Sequence, residues 1–237
     1  MKYQAGMHKW IMSVSLIIFH FAFGASAMAQ DDPEYKMEIG GGIGLVNYLG
    51  DFNGNITHNM QPMGSLIVKY RPNPRMAWTL GVSYGKLKGS VSDEKTWYPD
   101  TETMAPDFSN SLLDCGMRFE YNFWAYGTGR EYRGAKPIAP FIALGLGTTY
   151  VNPPEAGVFT LNLPIGAGVK YKVKERLNLT AEWRIHFTGS DRLDGVVDPY
   201  GIKSSGLFKN TDCYSVLQLS LTYDIWAKCK TCRNDRD

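Results

Sequence analysis

The chain has 237 residues, enough for one large domain or two small ones. Lys and Arg number 25 against 23 Asp and Glu, and a net charge of +2 argues against nucleic acid as a partner. The 25 glycines, 14 tyrosines and 13% aromatic residues point to an all-β protein with many turns.

Residues 1–29 have the layout of an export signal. Lys2 and Lys9 charge its start, "WIMSVSLIIFHFAFG" supplies an apolar core, and "ASAMAQ" places small residues at the −3 and −1 positions of a cleavage site. The apolar core is short for a membrane-spanning helix. Cleavage after Ala29, or Ala27, is therefore expected, and no nearby cysteine marks a lipid anchor.

Beyond Gln30 no apolar run is long enough for a membrane helix, and hydrophobicity repeats with period two. In chain order the expected strands are "MEIGGGIGLVNY", "GSLIVKYR", "WTLGVSYG", "LLDCGMRFEYNFW", "PFIALGLGTTY", "FTLNLPIGAGVKYKV", "RLNLTAEWRIHFT" and a last strand centred on Leu217 to Ile225. The seventh is the clearest: Leu177, Leu179, Ala181, Trp183, Ile185 and Phe187 share one face, with Asn178, Thr180, Glu182, Arg184 and His186 on the other. Short links ("RPNPR", "KER") and a medium one ("AYGTGREYRGAKPIA") follow strands two, six and four, whereas strands one, three and seven lead into long polar loops. The link after strand five, "VNPPEAG", is short, but short turns on one side and mostly longer loops on the other are the pattern of an outer-membrane barrel.

The apolar face is nearly free of charge and carries aromatics near its ends, as lipid contact and aromatic girdles require. The opposite face holds charges of both signs, which a soluble β-sandwich would keep out of its core. The expected fold is thus all-β, an eight-stranded antiparallel transmembrane β-barrel over residues 30–226, followed by a tail at 227–237. Glu38, Lys69, Asp114, Arg118, Glu120, Lys170, Lys172, Glu182, Arg184, His186 and Asp224 would point inward. Eight strands enclose a space that side chains fill, so these charges are expected to pair as a polar plug. Glycines 40, 42, 44, 166 and 168 would make room for the long chains.

Chemistry finds little support. "GVSYG" (Gly81 to Gly85) matches the G-x-S-x-G string of serine hydrolases, but it lies within a strand instead of at a sharp strand-to-helix turn. A lipid-modifying site needs a His beside a nucleophile within reach of lipid. The mature chain offers His58 in a loop and His186 on the charged face, where Glu182 is its expected structural contact. Asp191, Asp194 and Asp198 lack the spacing of a calcium loop. No catalytic residue, cofactor, metal or small-molecule substrate is expected. Cys115 and Cys213 fall on the outward face, and Cys229 with Cys232 lies in the tail, available for a local disulfide or a bond to a partner.

Three stretches, "EIGGGIGLVNYLGDFN", "RPNPRMAWTLGVSYGKLKGS" and "AEWRIHFTGSDRLDGV", together resemble the small outer-membrane barrels of Bacteroidetes called PorG-like, or DUF6089, proteins. Many relatives read closer to T-D-Y-L-D-D at the last motif, from which Gly189, Ser190 and Gly195 depart. The resemblance implies a component of the type IX secretion system, associated on its periplasmic side with a ring of the PorK lipoprotein and PorN. It also implies an assembly or anchoring factor and not the conduit for cargo. In an even-stranded barrel both chain ends lie on the short-turn side, the periplasm. There Arg130, Arg133 and Lys136 of the medium link and Lys228, Lys230, Cys229 and Cys232 of the tail would form a docking surface. The alternative is a free-standing structural or adhesive barrel that binds through its long loops.

Overall fold

The computed structural model describes residues 35–49, 59–90, 107–127, 135–153, 157–190, 193 and 212–227. The expected export signal, Arg130, Arg133, His58, the three loop aspartates and residues 228–237 lie outside them.

Eight strands are present: β1 (Tyr35–Leu49), β2 (Gln61–Asn73), β3 (Met76–Ser90), β4 (Asp107–Asn122), β5 (Ile138–Asn152), β6 (Val158–Lys174), β7 (Leu177–Thr188) and β8 (Cys213–Ala227). Each pairs antiparallel with the next, and β8 returns to β1, so the sheet closes into a barrel and leaves no edge. The all-β eight-stranded fold read from the alternation is the one observed.

Alternation fixes the two faces. Leu80, Val82 and Tyr84 of β3 and Leu217, Leu219, Leu221 and Tyr223 of β8 are exposed on the outside, while Thr79, Ser83, Gln218, Thr222 and Asp224 are buried within. An exposed apolar surface running around every strand has no counterpart on a monomeric soluble protein and matches the lipid-facing band of a membrane barrel. Aromatics mark the short-turn end of that band. Tyr70 pairs across strands with Trp78, Trp78 with Phe119, and the Trp78 and Phe119 rings meet edge to face at 5.1 Å.

The strands outrun their expected bounds. "RPNPR" shrinks to a Pro74-Arg75 turn because β2 continues to Asn73, whose side-chain oxygen accepts from the Arg75 amide at 2.9 Å. β3 and β4 likewise extend into the long loop, to Ser90 and from Asp107. At the other extreme β4 stops at Asn122, so Phe123 and Trp124 belong to the link and not to the strand.

Trp226 breaks the alternation of β8. Its parity is that of Thr222 and Asp224, which face inward, yet it is 69% exposed. The backbone turns left-handed there (φ 62°), which swings the indole out of the lumen. That conformation costs a non-glycine residue about 1–2 kcal/mol, a cost offset when the indole sits at a membrane interface.

Leu80→Arg, on the outer face between Trp78 and Tyr84, is expected to destabilise the barrel by about 2–4 kcal/mol. Urea unfolding in lipid vesicles measures this, and an unchanged midpoint would contradict the assignment of that face to lipid.

Candidate functional site

The lumen is organised in layers that stack along the barrel axis. Nearest the short turns, Arg71 reaches Glu38 at 3.2 Å and Asp224 at 2.9 Å, and also donates to the Tyr35 carbonyl. Asp224 accepts in addition from Lys172 and, at 2.9 Å, from Asn178. Thr222 donates to the second oxygen of Glu38 at 2.7 Å. Two carboxylates and two cations thus satisfy one another with neutral donors filling the remaining lone pairs, the arrangement that offsets desolvation.

Tyr126 floors this layer. It comes from the link between β4 and β5, which is clipped in place by its amide donating to the Pro74 carbonyl at 3.0 Å and by the Lys136 amide donating to the Ala125 carbonyl at 2.7 Å. Its ring centroid lies 5.9 Å from the charged groups of Arg71, Lys170 and Lys172, within cation–π range. The hydroxyl donates to Asn178 at 2.8 Å. Burial, followed by the nearby Glu38 carboxylate, holds the phenol well above its ordinary pKa and so keeps it a neutral donor.

In the middle layer Glu120 is the hub. Lys170 lies at 2.6 Å and Lys69 at 3.3 Å from one of its oxygens, while Thr79 donates to the other at 2.5 Å. The Phe141 ring packs 4.7 Å from the Lys170 ammonium. A second unit follows: Glu182 faces Arg184 at 3.0 Å and Arg118 at 3.6 Å, and Arg184 donates to Gln218 at 2.7 Å.

Above them the chemistry turns to hydrogen bonds. Asp114 accepts from Tyr214 at 2.8 Å and Asn162 at 2.6 Å. His186 stacks on the Tyr214 ring at 4.3 Å, takes a 3.4 Å bond from Arg184 on Nε2 and turns Nδ1 toward Asp114 at 3.7 Å. Arg184 stands where Glu182 was expected to meet His186 and pairs with both. The histidine is enclosed by the sheet, and both ring nitrogens face interior groups instead of lipid. Ser83 is buried mid-strand between Ser65 and Asp114 in the register, with no turn to expose it.

The long-loop end is filled by an apolar cluster of Val46, Tyr48, Met63, Leu87, Leu112, Val151, Leu193, Tyr214 and Val216. Leu193 enters from the loop between β7 and β8. Its amide donates to Asp212 at 2.8 Å, its carbonyl accepts from Asn110 at 2.8 Å, and Asp212 also takes the Tyr48 hydroxyl. Two of the stretches that carry the family resemblance, "EIGGGIGLVNYLGDFN" through Tyr48 and "AEWRIHFTGSDRLDGV" through Leu193, therefore meet at this seal.

All eleven residues expected inside are buried in the lumen, and Lys136 is exposed on the short-turn rim. Arg71, Tyr126, Asn162, Tyr214, Leu193 and Asp212 were not among them. The glycines divide. A Cβ on Gly42 would strike the Gln218 amide, so this glycine does make room for a long chain, and one on Gly166 would stand 2.9 Å from the Trp183 carbonyl oxygen and 3.0 Å from Arg184 Cγ, meeting backbone and long chain together. At Gly40 and Gly44 the obstacle is the β8 backbone, and at Gly168 it includes the Phe141 ring. At Gly145, not anticipated, a Cβ would strike the Met117 carbonyl oxygen and stand 2.7 Å from Arg118 Cγ.

A family model described as "Domain of unknown function (DUF6089)" matches residues 14–234. The fold is similar to that of Neisserial surface protein A, at 12% identity and a TM-score of 0.52 over 80% of this chain and 97% of that one. It also matches the N-terminal β-barrel domain of Pseudomonas aeruginosa OprF (15%, 0.43, 81% and 98%). A third match is Ail, the attachment invasion locus protein of Yersinia pestis (9%, 0.41, 80% and 99%). No curated protein matches the sequence.

Glu120→Gln strips the counter-charge from two lysines at once and is expected to cost about 3–5 kcal/mol. Lys170→Met should cost less, because Glu120 keeps Lys69 and Thr79. Unfolding midpoints of the two variants give the comparison, and equal losses would contradict the hub role of Glu120.

Proposed function

The chain belongs to the DUF6089 family, and from that membership we propose that it is a non-enzymatic outer-membrane component of the type IX secretion system. In this reading it anchors or assembles a periplasmic ring of PorK- and PorN-like proteins. The observation that carries the reading is the division of labour within the barrel. The described side chains of the lumen are packed and paired, and among them no path is left for cargo, so any role in secretion falls to the ends.

The short-turn end supports docking. Arg75, Lys136, Lys174 and Arg176 are exposed there against a single exposed acid, Glu175, among the described residues. Several are held in place. Arg75 donates to the Phe123 carbonyl at 3.2 Å, Arg176 donates to the Tyr35 hydroxyl at 3.0 Å, and the Lys136 ammonium lies 4.5 Å from the Trp124 ring. Fixed cations beside an aromatic girdle present an acidic partner with a preorganised surface just outside the bilayer. Arg130, Arg133, Lys228 and Lys230 would enlarge it, and Cys229 or Cys232 would lock it covalently.

A pull-down of the full-length protein from outer membranes on non-reducing gels tests this. Ring proteins should accompany the wild type and be lost when Arg75, Lys136, Lys174 and Arg176 are all changed to Glu. A band that also shifts in Cys229→Ser/Cys232→Ser assigns the lock to the tail. Loss of surface binding after loop changes, with no ring protein in any sample, would replace secretion by the free-standing adhesive barrel.

A further inference from the structure

The outer face contains a defect. Outward positions on the strands are mostly large, but in the middle of β1 and near the start of β2 they are Gly41 and Gly64. The register sets Gly41 between Leu66 and Leu221, and Gly64 between Ile43 and Tyr84. The result is a glycine-floored trough with Leu66, Val82 and Tyr84 as one wall and Leu219 and Leu221 as the other. Through Ile43, Gly64, Tyr84 and Leu219 it continues into a second hollow of about 1180 Å³, which climbs past Pro62 to Lys86, Lys88 and Ser109.

The two lysines give the trough a polar end. Both alternate outward on β3, on the long-loop side of Tyr84, and both are exposed. Two residues of strand separate them by about 7 Å. Among the described residues no carboxylate pairs with either. An apolar trough topped at the interface by two ammonium groups that no described carboxylate pairs has the complement of an amphiphile: an acyl chain below and a phosphate above.

We propose that this trough binds one phosphorylated glycolipid of the outer leaflet, its acyl chain on Gly41 and Gly64 and its phosphate on Lys86 and Lys88. The proposal rests on the long-loop end facing outward and is independent of any role in secretion. A second copy of the chain fits less well. A twofold axis along the membrane normal would bring the same lysines face to face at the same depth.

The test is native mass spectrometry of the full-length protein in detergent, titrated with lipid A and, separately, with phosphatidylglycerol. The wild type should take up one lipid A in preference to phosphatidylglycerol. Lys86→Gln with Lys88→Gln should weaken uptake about thirtyfold, since each surface cation contributes roughly a fivefold attraction. Gly64→Phe should fill the floor and also displace the lipid. A Cβ there meets nothing within 4 Å, so the barrel tolerates it, and heat-modifiable gel mobility verifies folding in each variant. Equal uptake by all three proteins, phosphatidylglycerol binding as tightly as lipid A, or a dimer that Gly64→Phe disperses would each overturn the proposal.

Discussion

An ion drawn into a tube eight strands wide loses most of its hydration, at a cost of several kcal/mol unless a counter-charge and hydrogen bonds replace the water. The rest of this barrel follows from that constraint. Glu38, Glu120, Glu182 and Asp224 each face two cations or a cation and a hydroxyl, and every buried Lys or Arg of the described strands lies within 4 Å of a carboxylate. The cations come largely from β2, β4, β6 and β7. Reach across the lumen demands small residues at chosen points, and Gly145 and Gly166 stand where a side chain would collide with Arg118 and Arg184.

The same constraint shapes the ends. Ion pairs this buried keep their strength only while water stays out. Tyr126 closes the short-turn side with a ring over three cations and a hydroxyl on Asn178. The apolar cluster around Leu193 closes the other, and Asp212 and Asn110 satisfy the leucine's backbone so that a loop residue can be buried at all. A plugged cylinder of this kind presents three usable surfaces to its surroundings: a basic rim, a loop face and a lipid-facing wall. The proposed ring docking uses the first, and the glycolipid trough uses the third.

Much of this was legible in the sequence because a strand has a period of two, and one strong alternation assigns every residue along it to lipid or lumen. "RLNLTAEWRIHFT" is read correctly from end to end for that reason. The failures occur where a second signal competes. Arg71 shares the parity of Lys69, but the adjoining Pro-Asn-Pro reads as turn and hides it. Tyr126 lies in a link without periodicity, so its return under the barrel floor depends on its own amide bonding the Pro74 carbonyl and the Lys136 amide bonding the Ala125 carbonyl, contacts that no local pattern encodes. Trp226 carries inward parity and is turned out by a single left-handed residue. The seal joins Tyr48, Asn110, Leu193 and Asp212 from four separate places in the chain, and only the closed barrel brings them together.

The most direct measurement of the paired, filled lumen is ion conductance of the full-length protein reconstituted in a planar lipid bilayer. A filled lumen gives no steady conductance steps at moderate voltage, because every layer from Tyr126 to Leu193 is occupied by side chains that hold one another. Stable, reproducible single-channel steps from the purified protein would contradict it, and the charged interior would then have to be reread as an ion pathway.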